Sequence, residues 1–315
     1  MQSLIKSLIL SSTVLSVSVL SASAQVLTAE QVERDVALAQ SAFQDIHPGY
    51  DRFTPAAEID ASWAALITDA KASDGTDVRD FYLELSETLT KIRCDHTKAE
   101  LPSSLKKLRK TEPVYLPLRW DIVEGRAIVL DAPPESGLNK GDEILSINGR
   151  TIAELRETLH PYIPVDGYND HTKDTGMKAS LENMGGAVDH LGALLFNPSP
   201  IAMLDIETKS GERKAMNLNR VNFDDWKAIA IKLGASELKD AVTYNRIGDH
   251  AGYLSISSFV NYRNPVDPHT LYDPIFKMMA AEGRNKLILD LRENGGGQRM
   301  LLRLSMPVSF LKSGR

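Results

Sequence analysis

Two segments of the sequence carry residue types that could do chemistry. His96 lies in the segment KIRCDHT, which follows a run with helical spacing. A histidine with a pKa near neutrality can take a proton from a nucleophile, so His96 is a candidate general base. Far downstream, Gly295, Gly296 and Gly297 follow a short apolar run. Such glycines can aim free backbone N–H groups at one point, which suits an anion or an oxyanion.

Each segment also has a plainer interpretation. Glycine-rich turns between a strand and a helix are common in α/β folds, so the glycines favour a tight connection as much as an anion site. His96 by itself favours a structural histidine at a helix end. A phosphate site fits less well, because the glycine spacing is not GxGxxG and no Lys-Ser/Thr pair follows.

A metal centre is not expected near His96. Cys94, Asp95 and His96 are sequence neighbours that cannot all face one ion from a regular helix. The sequence also contains no HExxH or CxxC motif. We therefore predict neither a metal nor another cofactor.

The glycine turn is expected to join a strand to a helix in an α/β core. The apolar run from Leu287 to Leu291 predicts a short strand buried on both faces, and the spacing from Met300 to Leu304 predicts a helix. Upstream, Gly252 to Phe259 alternates like a strand and Thr270 to Glu282 has helical spacing. This β-α-β-α order implies parallel pairing with a right-handed crossover.

The N-terminal part, residues 25–112, is predicted to be a helical domain. Thr28 and Gln31 have the spacing of a capping box at the start of a first helix. A second helix is expected near Ala56 to Ala70. A third begins at Asp77, carries apolar residues on one face and leads into KIRCDHT.

Residues 113–220 are expected to form a small β domain. Arg126 to Leu130 predicts a strand, and Asn148-Gly149 predicts a tight turn after another. Ile201 to Leu218, with Ser210-Gly211 in its middle, predicts a closing hairpin. The polar, glycine-containing stretch near 160–200 is expected to be a partly helical insertion.

Three of these segments resemble one protein family, in the same order along the chain. LILDLRENGGG, from Leu287 to Gly297, resembles the D-L-R-x-N-x-G-G segment of the C-terminal-processing (tail-specific) serine peptidases, which include tricorn-type proteases. HAGYLSISSF, from His250 to Phe259, resembles the strand that enters the same core. SGLNKGDEILSINGRTIAEL, from Ser136 to Leu155, resembles the second half of a PDZ domain. The implied fold class is α/β, with an N-terminal helical cap, a PDZ-like β domain and the first part of a crotonase-like core in residues 241–315.

The resemblance implies hydrolysis of peptide bonds in a polypeptide substrate by acyl transfer. In tricorn-type members a Ser-His pair follows a comparable helix, and its histidine is the general base. His96 matches that histidine, while Asp95 stands where the pair has serine. Amides near Gly295, Gly296 and Gly297 would hold the oxyanion. Asp290 and Arg292 are expected to brace the turn rather than touch the substrate.

A PDZ-like domain implies that a peptide adds as a strand at an open sheet edge. The stretch that corresponds to the carboxylate loop is Tyr115-Leu116-Pro117-Leu118, where Pro117 removes an N–H donor and no glycine eases the turn. We therefore expect Leu116 and Leu118 to contact extended peptides without a true carboxylate pocket. A domain that only packs against the core is an equal alternative.

The nucleophile of the resembling family is not recognisable in this sequence. Family members carry their serine, and its lysine or glutamate partner, after the helix expected beyond the glycine turn. Ser305, Ser309 and Ser313 follow Gln298, but none stands in a strand-to-helix elbow with small neighbours. We expect a truncated chain that is inactive alone. The alternative is a non-catalytic protein that binds peptides or other ligands, like the interphotoreceptor retinoid-binding protein modules of the same family.

Composition and the N-terminus predict an exported globular protein. The 315 residues, 43% of them hydrophobic, are enough for two or three units. The net charge of −6 gives no electrostatic reason to expect nucleic acid. A single cysteine excludes an intramolecular disulfide.

The first residues have the features of a signal peptide. Lys6 precedes an apolar run from Leu8 to Leu20, and Ala22-Ser23-Ala24 supplies the small residues that a signal peptidase reads. We predict a signal peptide over residues 1–24, cleavage before Gln25, and a periplasmic or secreted protein without a membrane span. A membrane anchor is the alternative, but the run is shorter than the ~20 strongly apolar residues a span needs.

Overall fold

A computed structural model of the chain describes residues 25–177, 185–231, 237–262, 264–292, 294 and 296–297. The predicted signal peptide, Gly295, the helix expected beyond the glycine turn and the three serines that follow it lie outside the described residues. Helices and strands are mixed, as in the α/β class predicted from the sequence. The chain divides into two compact units between Ala230 and Ile231.

The first unit begins with helices that pack around a small apolar core. A two-stranded antiparallel ribbon pairs β1 (Val26–Leu27) with β2 (Thr76–Asp77). The helices are α1 (Ala29–Ile46), α2 (Ala56–Ala72), α3 (Val78–Thr90) and α4 (Ser103–Thr111). The predicted capping box of α1 is confirmed, because Thr28 and Gln31 exchange side chain to backbone bonds in both directions. Trp63 and Ile59, both fully buried, lie at the centre of this core.

The remainder of the first unit is built on a six-stranded antiparallel sheet. Its strands are β3 (Arg119–Val123), β4 (Arg126–Asp131), β5 (Glu143–Ile147), β6 (Arg150–Thr151), β7 (Ile201–Glu207) and β8 (Arg213–Asn219). The order is β3-β4-β5-β7-β8, and β6 pairs with β5. The hairpin predicted from Ile201 is confirmed by the register of β7 and β8. Asn148 and Gly149 take positive φ values of 51° and 76° in the predicted tight turn.

Helices cover one side of this sheet. They are α5 (Ile152–Leu159), α6 (Lys173–Met177) and α7 (Ala187–Phe196). A further helix, α8 (Phe223–Ile231), follows β8, and its Trp226 stacks on Tyr115. Helices α6 and α7 lie in the predicted insertion, which is therefore partly helical as expected. Side chains of the sheet, of α5 and of α7 share one apolar core that includes Trp120, Ile144, Leu159 and Leu191.

The second unit contains a three-stranded sheet with the order β11-β10-β9. Its elements are α9 (Leu238–Ala241), β9 (Val242–Ile247), β10 (Ala251–Ile256), α10 (Pro268–Ala281) and β11 (Lys286–Asp290). Strands β10 and β11 are parallel and α10 lies between them in the chain, so the predicted β-α-β unit is confirmed. Strand β9, which the sequence did not predict, pairs antiparallel with β10.

The prediction that β11 is buried on both faces is wrong for the described residues. Leu287 and Leu289 are half-buried against the core formed with α10, whereas Ile288 between them is 46% exposed. Because side chains alternate along a strand, this pattern means that described residues pack on one face of β11 only. No helix in the described part of the chain is long and apolar enough to cross a bilayer.

Candidate functional site

His96 lies on a turn that follows α3. The chain passes through Arg93 in a left-handed conformation, with φ of 57°, and then turns between Cys94 and Thr97. The Thr97 N–H donates to the Cys94 carbonyl at 3.0 Å. The His96 side chain is exposed, and its ring forms no hydrogen bond with any residue that the structure describes. A structural histidine at a helix end would bond the helix carbonyls, which this ring does not do.

A segment of the insertion holds the His96 turn from one side. The Arg93 Nε donates to the Gly167 carbonyl at 2.6 Å, and the Gly167 N–H donates back to the Arg93 carbonyl at 2.9 Å. The same guanidinium pairs with Asp170 at 2.7 Å. The backbone N–H of Asp95, next to His96, donates to Asp166 Oδ1 at 2.8 Å. Contacts between distant parts of the chain therefore fix the backbone on the N-terminal side of His96.

His47 holds the turn from the other side. Its Nε2 lies 3.1 Å from Thr97 Oγ1, and its Nδ1 accepts the Gly49 N–H at 3.2 Å. An imidazole nitrogen that accepts carries no proton, so with Nδ1 as acceptor it is Nε2 that donates to Thr97 Oγ1. Both sequence neighbours of His96 are thus bonded to other parts of the fold, while the His96 ring faces solvent.

Asp95 occupies the position where the resembling motif has serine. Its carboxylate lies 3.4 Å from Lys98 Nζ, and both side chains are exposed. Exposed pairs of this kind add little to stability. Within the described residues, the Asp95 carboxylate forms no hydrogen bond with the His96 ring, so it does not orient that ring.

The glycine turn of the second unit is held by a close backbone contact. The Phe259 N–H donates to the Gly296 carbonyl at 2.9 Å, and Phe259 pairs with Gly297 as a parallel bridge. A Cβ atom on Gly297 would lie 2.3 Å from the carbonyl atoms of Phe259, and φ of Gly297 is 132°. Only glycine fits this position, because any side chain would collide with the neighbouring backbone.

The amides of this turn are only partly available to an oxyanion. The Gly296 N–H donates to Asn294 Oδ1 at 2.8 Å, and Asn294 Nδ2 donates to the Ile256 carbonyl at 3.0 Å. A single N–H that already has an acceptor cannot also serve an oxyanion in this arrangement. Gly297 is exposed, and its N–H has no acceptor among the described residues. Of the three predicted oxyanion donors, Gly295 lies outside the described residues and the Gly296 N–H is already bonded. The Gly297 N–H is therefore the remaining candidate among the described residues.

Asp290 and Arg292 form a local ion pair at the end of β11. The backbone N–H and the Nε of Arg292 both donate to Asp290 Oδ1 at 3.0 Å, and Nη2 donates to Oδ2 at 2.8 Å. The Tyr253 hydroxyl also donates to the carboxylate. The bonds from Arg292, followed by the Tyr253 bond, hold the pKa of Asp290 well below its usual range. Both residues thus bond each other and Tyr253 at the end of β11, and their bracing of the glycine turn stays a prediction.

The prediction that Leu116 and Leu118 contact a peptide is wrong. Each side chain is 1% exposed and belongs to the core between the sheet and its helices. The Leu116 N–H donates to Asp189 Oδ1 at 3.0 Å, and the Leu118 N–H donates to the Leu116 carbonyl at 2.8 Å. The segment that was expected to face a ligand therefore fills the interior of its own unit.

The sequence carries little local signal for the residues that brace the His96 turn. Arg93 and His47 lie in ordinary polar stretches, and their partners are far away in the chain. The dipeptide Asp166-Gly167 is a turn signal, but it says nothing about which distant segment the turn contacts. Among the described residues, no group of three or more His, Cys, Asp or Glu side chains could hold a metal ion.

Comparison with known proteins connects the chain to one group of solved structures. No protein-family model matches the sequence, and no curated protein matches it. The structure is similar to that of mature CPAF, a chlamydial serine protease, with a TM-score of 0.56 at 13% identity. Mature CPAF complexed with lactacystin gives a TM-score of 0.55 at 14% identity. A serine-to-alanine mutant of CPAF also gives 0.55 at 14% identity.

The similarity extends over most of this chain and over part of each neighbour. It covers 88% of this chain and 58% of the chain in the two mature CPAF structures. The corresponding shares for the mutant are 86% and 57%. The chain thus spans less than two thirds of the length of the proteins it resembles. At these identities the likeness shows the fold alone.

Proposed function

We propose that this chain belongs to an exported serine-type peptidase of the tail-specific kind, tricorn-like in its use of His96 as general base, which hydrolyses peptide bonds in polypeptides. The observation that carries the proposal is the exposed His96 ring on a turn whose two flanking residues, Asp95 and Thr97, are bonded to other parts of the fold. A general base must be held in place while remaining accessible to the substrate. The serine protease-like fold supports the same conclusion.

In the proposed mechanism His96 takes the proton of a serine hydroxyl as the oxygen attacks the scissile carbonyl. The protonated ring then gives this proton to the leaving amine, and water releases the acyl group in a second step. An N–H donor stabilises the oxyanion that forms on the carbonyl oxygen. Loss of one such donor typically lowers kcat about a hundredfold or more. The attacking serine is not identified among the described residues.

A second candidate function is non-catalytic binding of peptides or other ligands on the same fold. Two observations favour it. No serine hydroxyl in the described part of the chain bonds the His96 ring, and the Gly296 amide is committed to Asn294. Both observations count against acyl transfer, and neither counts against ligand binding on the same fold.

The test is hydrolysis of an unfolded polypeptide, such as fluorescently labelled casein, by the protein at its full natural length. His96→Gln should lower the rate by on the order of a hundredfold to ten-thousandfold, as expected for loss of a general base. His171→Gln is the matched control, since His171 is also exposed and bears no proposed role. It should leave the rate unchanged.

A fluorophosphonate probe, which reacts with activated serine hydroxyls, should label one serine that mass spectrometry can locate. Labelling should disappear in His96→Gln and persist in His171→Gln. If the wild-type protein neither hydrolyses casein nor takes the label, the proposal of a peptidase is overturned and the proposal of a binding protein remains. Hydrolysis that survives His96→Gln would remove His96 from the mechanism.

A further inference from the structure

A carboxylate is buried beside the segment that resembles a PDZ carboxylate loop. Asp189 lies in the first turn of α7, within the insertion, and is 2% exposed. Its Oδ1 accepts the Leu116 N–H at 3.0 Å and lies 3.9 Å from Arg220 Nη1. The backbone amide of this segment therefore does bind a carboxylate, and the carboxylate comes from the same chain.

Two buried arginines connect this carboxylate to the segment. Arg220 Nη1 donates to the Val114 carbonyl at 2.8 Å, and Arg109 Nη2 donates to the Tyr115 hydroxyl at 3.2 Å. Both side chains are almost inaccessible to solvent. Burial raises the pKa of Asp189 to about 6, while the Leu116 N–H and the positive charges of Arg220 and Arg109 oppose that rise. The amide N–H and the two guanidinium charges therefore favour the negative carboxylate, but less strongly than burial disfavours it.

The arginines have more donors than Asp189 uses. Arg220 Nε is buried and has no acceptor among the described residues. A buried donor without a partner is uncommon, because its desolvation is uncompensated. The contact of 3.9 Å between Arg220 and Asp189 is longer than a hydrogen bond. The Asp189 carboxylate, which is fixed on α7, thus lies within hydrogen-bond distance of the Leu116 N–H but not of the Arg220 guanidinium.

A helix of the same chain packs against the edge strand next to this segment. Strand β3 follows Leu118 directly and is an edge of the sheet, and α6 packs against it. Met177 in α6 is fully buried in the same core as Trp120 of β3. Asp174 in α6 is held to α5 by Arg156 at 2.7 and 2.9 Å and contacts His160 at 3.0 Å. Helix α6 therefore packs against the strand beside which a peptide would have to add.

We propose that the segment Val114–Leu118, with Arg109 and Arg220, is a carboxylate-binding site that the chain fills permanently with its own Asp189. Asp189 takes the place that the carboxyl terminus of a peptide would take. The site selects the carboxylate class because the Leu116 N–H donates to it, the Arg220 guanidinium lies 3.9 Å away, and Arg109 adds a second positive charge nearby. This inference goes beyond the proposed function and does not depend on catalysis. It also departs from the expectation of a loop without a true carboxylate pocket, since the proposed pocket is occupied in cis.

The first test is rescue of Asp189→Ala by acetate. Removal of the side chain leaves the Leu116 N–H and the Arg220 guanidinium beside a space of carboxylate size. Sodium acetate, compared with sodium chloride at equal ionic strength, should raise the Tm of Asp189→Ala by about 2–4 °C at a concentration near ten times its Kd. Wild-type protein should not respond. If Asp189→Ala is unfolded in chloride, acetate should restore its circular dichroism spectrum.

Two variants control for non-specific effects of acetate. Asp142 is also 2% exposed and accepts the Asn139 N–H at 2.8 Å, but no arginine within the described residues lies in salt-bridge distance of it. Asp142→Ala should therefore show no rescue. Asp189→Asn keeps an oxygen in contact with Leu116, so its site remains filled and acetate should not raise its Tm. Rescue of all variants, or of none, would overturn the proposal.

The second test compares peptides with a free and an amidated carboxyl terminus. Fluorescence anisotropy with wild-type protein should show no preference for the free terminus beyond about twofold, because Asp189 occupies the site. A preference of tenfold or more would show that an external carboxylate reaches the loop in the wild-type protein. That result would overturn permanent occupation by Asp189.

Discussion

The two turns that carry the candidate chemistry are held by different kinds of contact. The turn with His96 depends on side chains, since Arg93 bonds the insertion and His47 bonds Thr97. The turn with Gly297 depends on its backbone, which lies against Phe259 too closely for any side chain. The turn with His96 should therefore be destabilised by removal of side-chain atoms. The turn with Gly297 should be destabilised by addition of a single carbon atom.

This difference suits the two chemical roles. A general base works with its side chain, so its backbone must be fixed by neighbours while the ring stays accessible. An oxyanion donor works with its backbone N–H, so the backbone itself must be fixed, and a side chain there would serve no purpose. Asp95 and Thr97 provide the first kind of support, and Phe259 provides the second.

The largest effect is expected for Gly297→Ala. The new Cβ would lie 2.3 Å from the carbonyl of Phe259, so the bridge between the two segments must open. Steric overlap and an unfavourable positive φ together should lower the free energy of unfolding by about 3 kcal/mol or more. Gly296→Ala is the matched control, because Gly296 also has a positive φ but no atom lies within 4 Å of its Cβ position. Gly296→Ala should lower the free energy of unfolding by about 1–2 kcal/mol.

Urea unfolding of both variants measures this difference. Hydrogen exchange of the Phe259 amide should also become faster in Gly297→Ala than in Gly296→Ala. Equal losses of stability in the two variants would mean that the close approach to Phe259 does not hold the turn.

An intermediate effect is expected for Asp166→Ala. It removes the acceptor of the Asp95 N–H, which is bonded at 2.8 Å in the native turn. The cost should be about 1 kcal/mol, because the bond lies near the surface and water can replace part of it. Asp166→Asn is the control, since its amide oxygen can still accept the bond.

Hydrolysis separates positioning of His96 from simple stability. If Asp166 positions the turn, Asp166→Ala should lower kcat about tenfold with KM nearly unchanged, and Asp166→Asn should restore most of the rate. Stable variants with unchanged kcat would show that the Asp166 bond does not position His96.

Local patterns made part of this fold predictable from the sequence. The capping box at Thr28 and Gln31 marks the start of α1 through residues three positions apart. The alternation in β10 and the apolar run in β11 predicted the parallel pair, because the pattern of each strand lies within a few residues. The same reasoning placed the hairpin of β7 and β8.

The side-chain contacts around the candidate site were not predictable in this way. The bond from Leu116 to Asp189 and the bond from Arg93 to Gly167 each join residues far apart in the chain. Periodicity gives the face on which a residue lies but not its distant partner. Leu116 therefore looked like part of a binding loop, whereas it fills the core. Local strand patterning also overestimated the burial of Ile288, since burial depends on what packs over each face.

The smallest effect on stability is expected for Arg292→Ala. The Arg292 side chain is 81% exposed, so its pair with Asp290 is screened by water and its removal should leave the urea midpoint nearly unchanged. The protonation of Asp290 should nevertheless change. Arg292 is the main cause of the low pKa of Asp290, so this pKa should rise toward its ordinary value in the variant.

A carboxylate with a lowered native pKa favours folding above its unfolded pKa, and this contribution is lost as pH falls through the native pKa. The wild type should therefore lose, as pH falls below about pH 4, the small stability advantage that it has over Arg292→Ala at pH 7, and the two should converge. NMR titration of the Asp290 carboxyl measures the pKa, and urea midpoints at pH 3 and pH 7 measure the linkage. A large loss of stability at pH 7 would show that this turn, like the turn with His96, depends on side-chain contacts after all.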